Sequence, residues 1–82
     1  MITVYSKPSC PYCTSAKTWL TQNGFQFETI DVTADPKALQ FIRDRGHMTV
    51  PQMYEGERLL VEGGYNGMVK LGAVALRENL SK

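Results

Sequence analysis

Eighty-two residues bound the chain to one small domain, 1–82, and a hydrophobic fraction of 43% suffices for a modest single core. A formal net charge of +1, with acids and bases interspersed, gives no basic surface for nucleic acid or for an anionic membrane. No apolar run is long enough to span a bilayer, and the N-terminus runs straight into strand residues, so the cytoplasm is the expected compartment.

Ile2-Thr3-Val4-Tyr5 reads as a short first strand. Lys7-Pro8-Ser9-Cys10-Pro11-Tyr12-Cys13 follows, and Pro11 is suited to the first position of a helix, where no backbone N–H is needed. Cys10 is then expected exposed at a helix N-terminus, where free N–H groups and the helix dipole favour an anion and hence the reactive thiolate. Cys13, one turn further on, is expected more buried and less ionised. Cys13, Ala16, Trp19 and Leu20 share one side of this helix, which runs to Gln22 and ends at Asn23-Gly24. Phe25 to Val32 reads as the second strand. Asp35-Pro36 is a helix start, cap then proline, and this helix turns Ala38, Leu39 and Ile42 inward before ending ahead of Gly46. Val50 to Tyr54 and Arg58 to Glu62 read as two strands around Glu55-Gly56, and Gly63-Gly64 breaks the pattern. A last helix is expected from Asn66 to Leu80, with Gly72 allowing close packing. The order βαβαββα makes an α/β protein: a four-stranded mixed sheet with helices on both faces, its first two strands parallel and its last two antiparallel.

A Cys-x-x-Cys pair can be half a zinc site, a structural disulfide or a redox pair. Zinc normally takes four ligands, and two cysteines with the one histidine, His47, fall short, so no metal site is expected. A disulfide closing so small a loop would stabilise little. After a strand and at the opening of a helix, in a reducing compartment, the pair reads as redox-active. His47 reads as a surface loop residue, Gln40 and Arg43 as a solvated helix face, and the methionines as packing residues.

Three motifs in this order, Lys7-Pro8-Ser9-Cys10-Pro11-Tyr12-Cys13, Thr49-Val50-Pro51 and Gly63-Gly64-Tyr65, resemble the dithiol glutaredoxins over nearly the whole chain. The resemblance implies a thioredoxin fold and reversible thiol–disulfide exchange in cell redox homeostasis. It also implies glutathione as cosubstrate, with no tightly bound cofactor. Cys10 matches the attacking thiolate and Cys13 the resolving thiol. Lys7 matches the basic residue that favours the thiolate and reaches a glutathione carboxylate, and Tyr12 the ring flanking the glutathione groove. Val50-Pro51 matches a cis-proline corner where the main chain of Val50 pairs with glutathione as an added strand segment, with Thr49 beside it. Gly64, Tyr65 and Asn66 match the backbone nest for the γ-glutamyl carboxylate. The implied partners are glutathione, glutathione reductase indirectly, and disulfide-containing proteins, ribonucleotide reductase among them, for a monomer.

The chain departs from that pattern at Gly67, where relatives commonly carry an acid that pairs with the glutathione amino group. Asn66 is expected to cap the last helix, and Gly67→Asp to improve glutathione use without loss of stability. An alternative is a glutaredoxin-like redoxin recycled by thioredoxin reductase as electron donor to ribonucleotide reductase. That group also lacks the acid, but usually has Gln where this chain has Tyr12. A third reading is an iron–sulfur carrier built from two chains and two glutathiones, whose members usually have one active-site cysteine and no proline after it.

Overall fold

The computed structural model describes residues 1–80, so the last two positions of the expected 1–82 unit lie outside the described residues. The elements are β1 (Ile2–Ser6), α1 (Pro11–Gln22), β2 (Phe27–Asp31), α2 (Pro36–Asp44), β3 (Gln52–Glu55), β4 (Arg58–Leu59), α3 (Gly64–Leu71) and α4 (Ala73–Leu80). They form one four-stranded sheet in the order β2-β1-β3-β4. β1 pairs parallel with β2, Ile2 opposite Phe27, and antiparallel with β3, Thr3 opposite Tyr54, while β3 and β4 form the antiparallel hairpin. The expected mixed α/β sheet is therefore present.

β1 is buried along its whole length, because both of its faces are covered. Alternate residues serve the two sides. Ile2 and Val4, with Met53 of β3, pack against Ala16 and Leu20 of α1, Met68 of α3 and Leu76 of α4. Tyr5 and Tyr54, on the other face, pack against Ala38 and Ile42 of α2. Trp19 is only half-buried at the margin of the first cluster, where its ring stacks on Phe25 with centroids 6.0 Å apart. The start of α2 is as its residues dictate: Asp35 Oδ1 accepts hydrogen bonds from the N–H groups of Lys37 and Ala38, each at 3.1 Å, and Pro36 opens the helix.

The ends of elements differ from expectation. β2 is shorter than Phe25–Val32: the Phe25 N–H donates to the Leu20 carbonyl of α1 at 2.9 Å rather than to the sheet, and Val32, whose N–H donates to the Ser6 carbonyl at 2.9 Å, follows the last paired residue, Asp31. β3 begins only at Gln52, after the Val50–Pro51 corner, and β4 stops at Leu59, with Leu60 and Val61 buried outside the strand. The expected last helix starts two residues early, at Gly64, and is divided in two. Gly72 takes φ 88° and ψ 159°, a conformation open to glycine and strained for other residues, and so ends α3 before α4 begins. Nothing lies within 4 Å of where a Gly72 Cβ would sit, so the glycine serves backbone conformation rather than close packing.

Candidate active site

Cys10 is the N-cap of α1, with extended backbone, and Pro11 is the first helical residue. The Cys13 N–H donates to Cys10 Sγ at 3.3 Å, so the helix start directs a free backbone donor at the sulfur. Ser9 reaches this position through a positive φ of 59°. Both cysteines are free thiols. Burial works to raise the Cys10 thiol, but the hydrogen bonds from the Cys13 thiol and N–H, the charge of Lys7 and the Tyr12 N–H outweigh it, and Cys10 lies below its ordinary value. Cys13 goes the other way. Burial, then the hydrogen bond to Cys10 and the Cys10 charge, push its thiol up to about 11. The two sulfurs, one turn apart, are thus shifted in opposite directions, Cys10 towards the thiolate and Cys13 towards the thiol.

Cys10 is less open than expected, retaining 8% of its surface. The reason is the facing corner: Cys10 Sγ lies 3.9 Å from the Val50 carbonyl, and the Val50–Pro51 peptide is cis. Pro51 is buried, and the buried Gln52 donates from its side-chain amide to the Thr49 carbonyl at 2.9 Å, which closes the corner on itself.

From this corner a groove of about 680 Å³ runs to the start of α3. It brings together Tyr12, Thr49, Val50, Pro51, Gly64, Tyr65 and Asn66, seven of the eight expected groove residues. The Tyr12 ring, 57% exposed, stands 6.3 Å from that of Tyr65 across it. Lys7 is the exception. It lines an adjoining cavity of about 210 Å³ that shares Met48, Thr49 and Val50 with the groove. Arg43, exposed on its helix as expected, also lines that cavity, whereas Gln40 hydrogen-bonds Asp44 along its own helix.

At the far end of the groove α3 begins on Gly63, φ 89°, with no side-chain cap. Asn66 therefore does not cap this helix; it sits inside the first turn. Gly67 has a role of its own, because a Cβ there would lie 1.8 Å from the Glu62 carbonyl oxygen. No side chain fits, so the expectation that Gly67→Asp would be harmless fails on sterics. His47 is likewise not a free surface residue: half-buried, it shares a 2.6 Å hydrogen bond between Nε2 and Tyr54 Oη and lines the groove. Glu62 and the exposed Met48 also line the groove and were not anticipated. The position of Glu62 directly before the double glycine was the one available hint. Among the described residues no three His, Cys, Asp or Glu side chains gather as a metal site, and no helix is long and apolar enough to cross a membrane.

Two cysteines at a helix start, facing a cis-proline corner on a β2-β1-β3-β4 sheet, define a thiol–disulfide oxidoreductase of the thioredoxin fold. Comparison with known proteins narrows the class. Residues 2–60 match the glutaredoxin family model, and the chain belongs to the glutaredoxin family. It is similar to a glutaredoxin of Neisseria meningitidis serogroup A, 36% identical, with 83% of this chain and 94% of that protein covered. A buckwheat glutaredoxin–glutathione complex superposes with a TM-score of 0.78 at 27% identity, over 98% of this chain and 76% of that one. The glutaredoxin-like NrdH-redoxin of Escherichia coli, described as having a thioredoxin-like activity profile, is 33% identical with a TM-score of 0.65, over 67% of this chain and 72% of that one.

Proposed function

We propose that the chain is a glutathione-dependent thiol–disulfide oxidoreductase of the cytoplasm, reducing protein disulfides and glutathione mixed disulfides through Cys10 and Cys13. The observation that carries this reading is the continuous groove from the Cys10 corner to the uncapped start of α3. The likeness to a glutaredoxin that binds glutathione supports it.

The Cys10 thiolate attacks one sulfur of the substrate disulfide, the other sulfur departs as a thiolate, and a mixed disulfide forms on Cys10. Two of the causes that raise Cys13, its hydrogen bond to Cys10 and the Cys10 charge, vanish once Cys10 is no longer an anion. Cys13 can then lose its proton, attack Cys10 Sγ and expel the substrate as a second thiol, which leaves a Cys10–Cys13 disulfide. One glutathione thiolate opens that disulfide and becomes joined to Cys10. A second removes it as glutathione disulfide, restoring both thiols and completing a two-electron transfer.

In the groove, the main chain of Val50 pairs with the glutathione peptide beside Thr49 and Pro51, Tyr12 and Tyr65 flank it, and Lys7 attracts its glycyl carboxylate. The N–H groups of Gly64, Tyr65 and Asn66 receive the γ-glutamyl carboxylate, an arrangement suited to a helix start without a cap.

A second reading has a specific observation in its favour. Gly67 has neither a carboxylate nor room for one, and an NrdH-redoxin is among the structural neighbours. In that reading thioredoxin reductase regenerates the thiols. The deciding experiment is NADPH oxidation with a disulfide substrate, driven either by glutathione with glutathione reductase or by thioredoxin reductase alone. Turnover only in the first arm is expected; turnover only in the second assigns the chain to the redoxins.

A further inference from the structure

Among the described residues, Glu62 is the only Asp, Glu, Lys or Arg that lines the groove. Its side chain is exposed, and among the described residues its carboxylate takes part in no hydrogen bond or ion pair. Its main chain, by contrast, is firmly seated. Val61 before it is 3% exposed, and Gly67 of α3 packs so closely on the Glu62 carbonyl that no Cβ fits between them. The adjoining cavity, which meets the groove at Met48, Thr49 and Val50, is lined by Lys7 and Arg43 and, among the described residues, by no acid. Among the described residues the cleft therefore has positive charge at one end and one negative charge, carried on a seated main chain, at the other. A ligand lying along both ends is favoured if it is zwitterionic, with a carboxylate towards Lys7 and an ammonium towards Glu62.

We infer that Glu62 is a specificity-determining residue, which accepts a charge-assisted hydrogen bond from the free α-ammonium of the thiol ligand. The inference rests on the glutathione reading and deepens it. The α-carboxylate on the same carbon turns to the N–H groups at the start of α3, and the ammonium turns to Glu62 on the preceding residue. The acid for this end of the ligand thus comes from before the double glycine, and not from α3, where Gly67 excludes it. The ligand class selected is a γ-glutamyl thiol with an unblocked amino group. A thiol whose amino group is acylated presents only anions to this end, and Glu62 then repels it.

The test uses the full chain carrying Cys13→Ser, so that the Cys10 mixed disulfide accumulates, with Glu62 intact or replaced by Gln. Glu62→Gln leaves the backbone and side-chain length unchanged. Each protein is equilibrated with reduced and oxidised glutathione, and separately with reduced and oxidised N-acetylglutathione, and the adduct fraction is read by intact-mass spectrometry. With glutathione, Glu62→Gln lowers the equilibrium constant for the adduct by about two- to fivefold, the effect of one exposed charge pair. High salt reduces that factor towards one. With N-acetylglutathione, Glu62→Gln leaves the constant unchanged or raises it. A glutathione adduct of equal stability in both proteins, or an equal loss with both ligands, overturns the role of Glu62 and leaves the glutathione reading intact. Failure of glutathione to form any Cys10 adduct, while thioredoxin reductase reduces the Cys10–Cys13 disulfide of the unmutated chain, overturns both.

Discussion

The two helices that flank the groove begin in contrasting ways. α1 begins on Cys10, whose sulfur takes up the Cys13 N–H at 3.3 Å. α3 begins on Gly63, which has no side chain, so its first N–H groups have no side-chain acceptor. The same backbone resource is put to two uses. Where the chain fills the helix start itself, the backbone tunes one of its own groups, lowering the Cys10 thiol. Where it leaves the start open, the backbone can receive an anion from outside.

The comparison is broken most completely at the filled start. Cys10→Ser should abolish exchange with every substrate, since it removes the proposed nucleophile, the thiol of lowered pKa. Cys13→Ser should still release glutathione from a mixed disulfide, because an external thiol can resolve the Cys10 adduct, but lose most reduction of protein disulfides. Rates with a glutathionylated peptide and with a protein disulfide separate the two; equal losses in Cys13→Ser would remove the route through an external thiol.

At the open start the largest effect is on stability. Gly67→Ala places a methyl group 1.8 Å from the Glu62 carbonyl oxygen, which is backbone and cannot swing aside. Overpacking that cannot be relieved by a side chain should cost about 3 kcal/mol, which for a chain of this size lowers Tm by roughly 12–24 °C. A thermal melt followed by circular dichroism measures this, and an unchanged Tm would mean that α3 and Glu62 are not packed as described.

α2 provides the control, a self-capped helix that lines no part of the long groove. Asp35→Ala removes two hydrogen bonds to the helix start and should cost about 1 kcal/mol, a fall of roughly 4–8 °C in Tm. The glutathione dependence of turnover should remain as it was, and a change there would connect α2 to ligand binding more closely than its position suggests.

The smallest effect belongs to Lys7. Because Cys10 lies below its ordinary value, its alkylation by iodoacetamide should rise with pH and level off earlier than for a free thiol. Lys7→Ala should move this profile upward in pH only slightly, since Lys7 follows burial and the two Cys13 hydrogen bonds in strength. A profile that returns to that of a free thiol would make Lys7, rather than the helix start, the main activator.

These contrasts were legible in the sequence to different degrees. Cys10-Pro11 and Asp35-Pro36 declared two helix starts because cap and proline chemistry is local, fixed by neighbours in the chain. Gly63-Gly64 was visible as a break, but whether it opened a helix at once or after Asn66 depended on backbone angles that glycine leaves free. Gly67 and Gly72 read alike as helical glycines, yet one is forced by a carbonyl 1.8 Å from its missing Cβ and the other only by its own backbone conformation. The bond between His47 and Tyr54 and the place of Glu62 on the groove wall arise when distant segments meet, which no local pattern records.

The short outer strands bear on how copies of this chain meet one another. β1 lies inside the sheet, and the two edges are β2 and the two-residue β4. β2 carries Glu28 and Asp31, with Glu28 accepting from the Thr3 hydroxyl at 3.0 Å, and the β4 turn carries Glu55 and Arg58 as an ion pair. A strand edge attracts other edges unless it is brief or charged, and here one is brief and the other charged. With a net charge of only +1, long-range repulsion between copies is weak. Dispersal at high concentration then depends on these few edge side chains, and neutralising Glu28 and Asp31 together should promote self-association before it disturbs the redox chemistry.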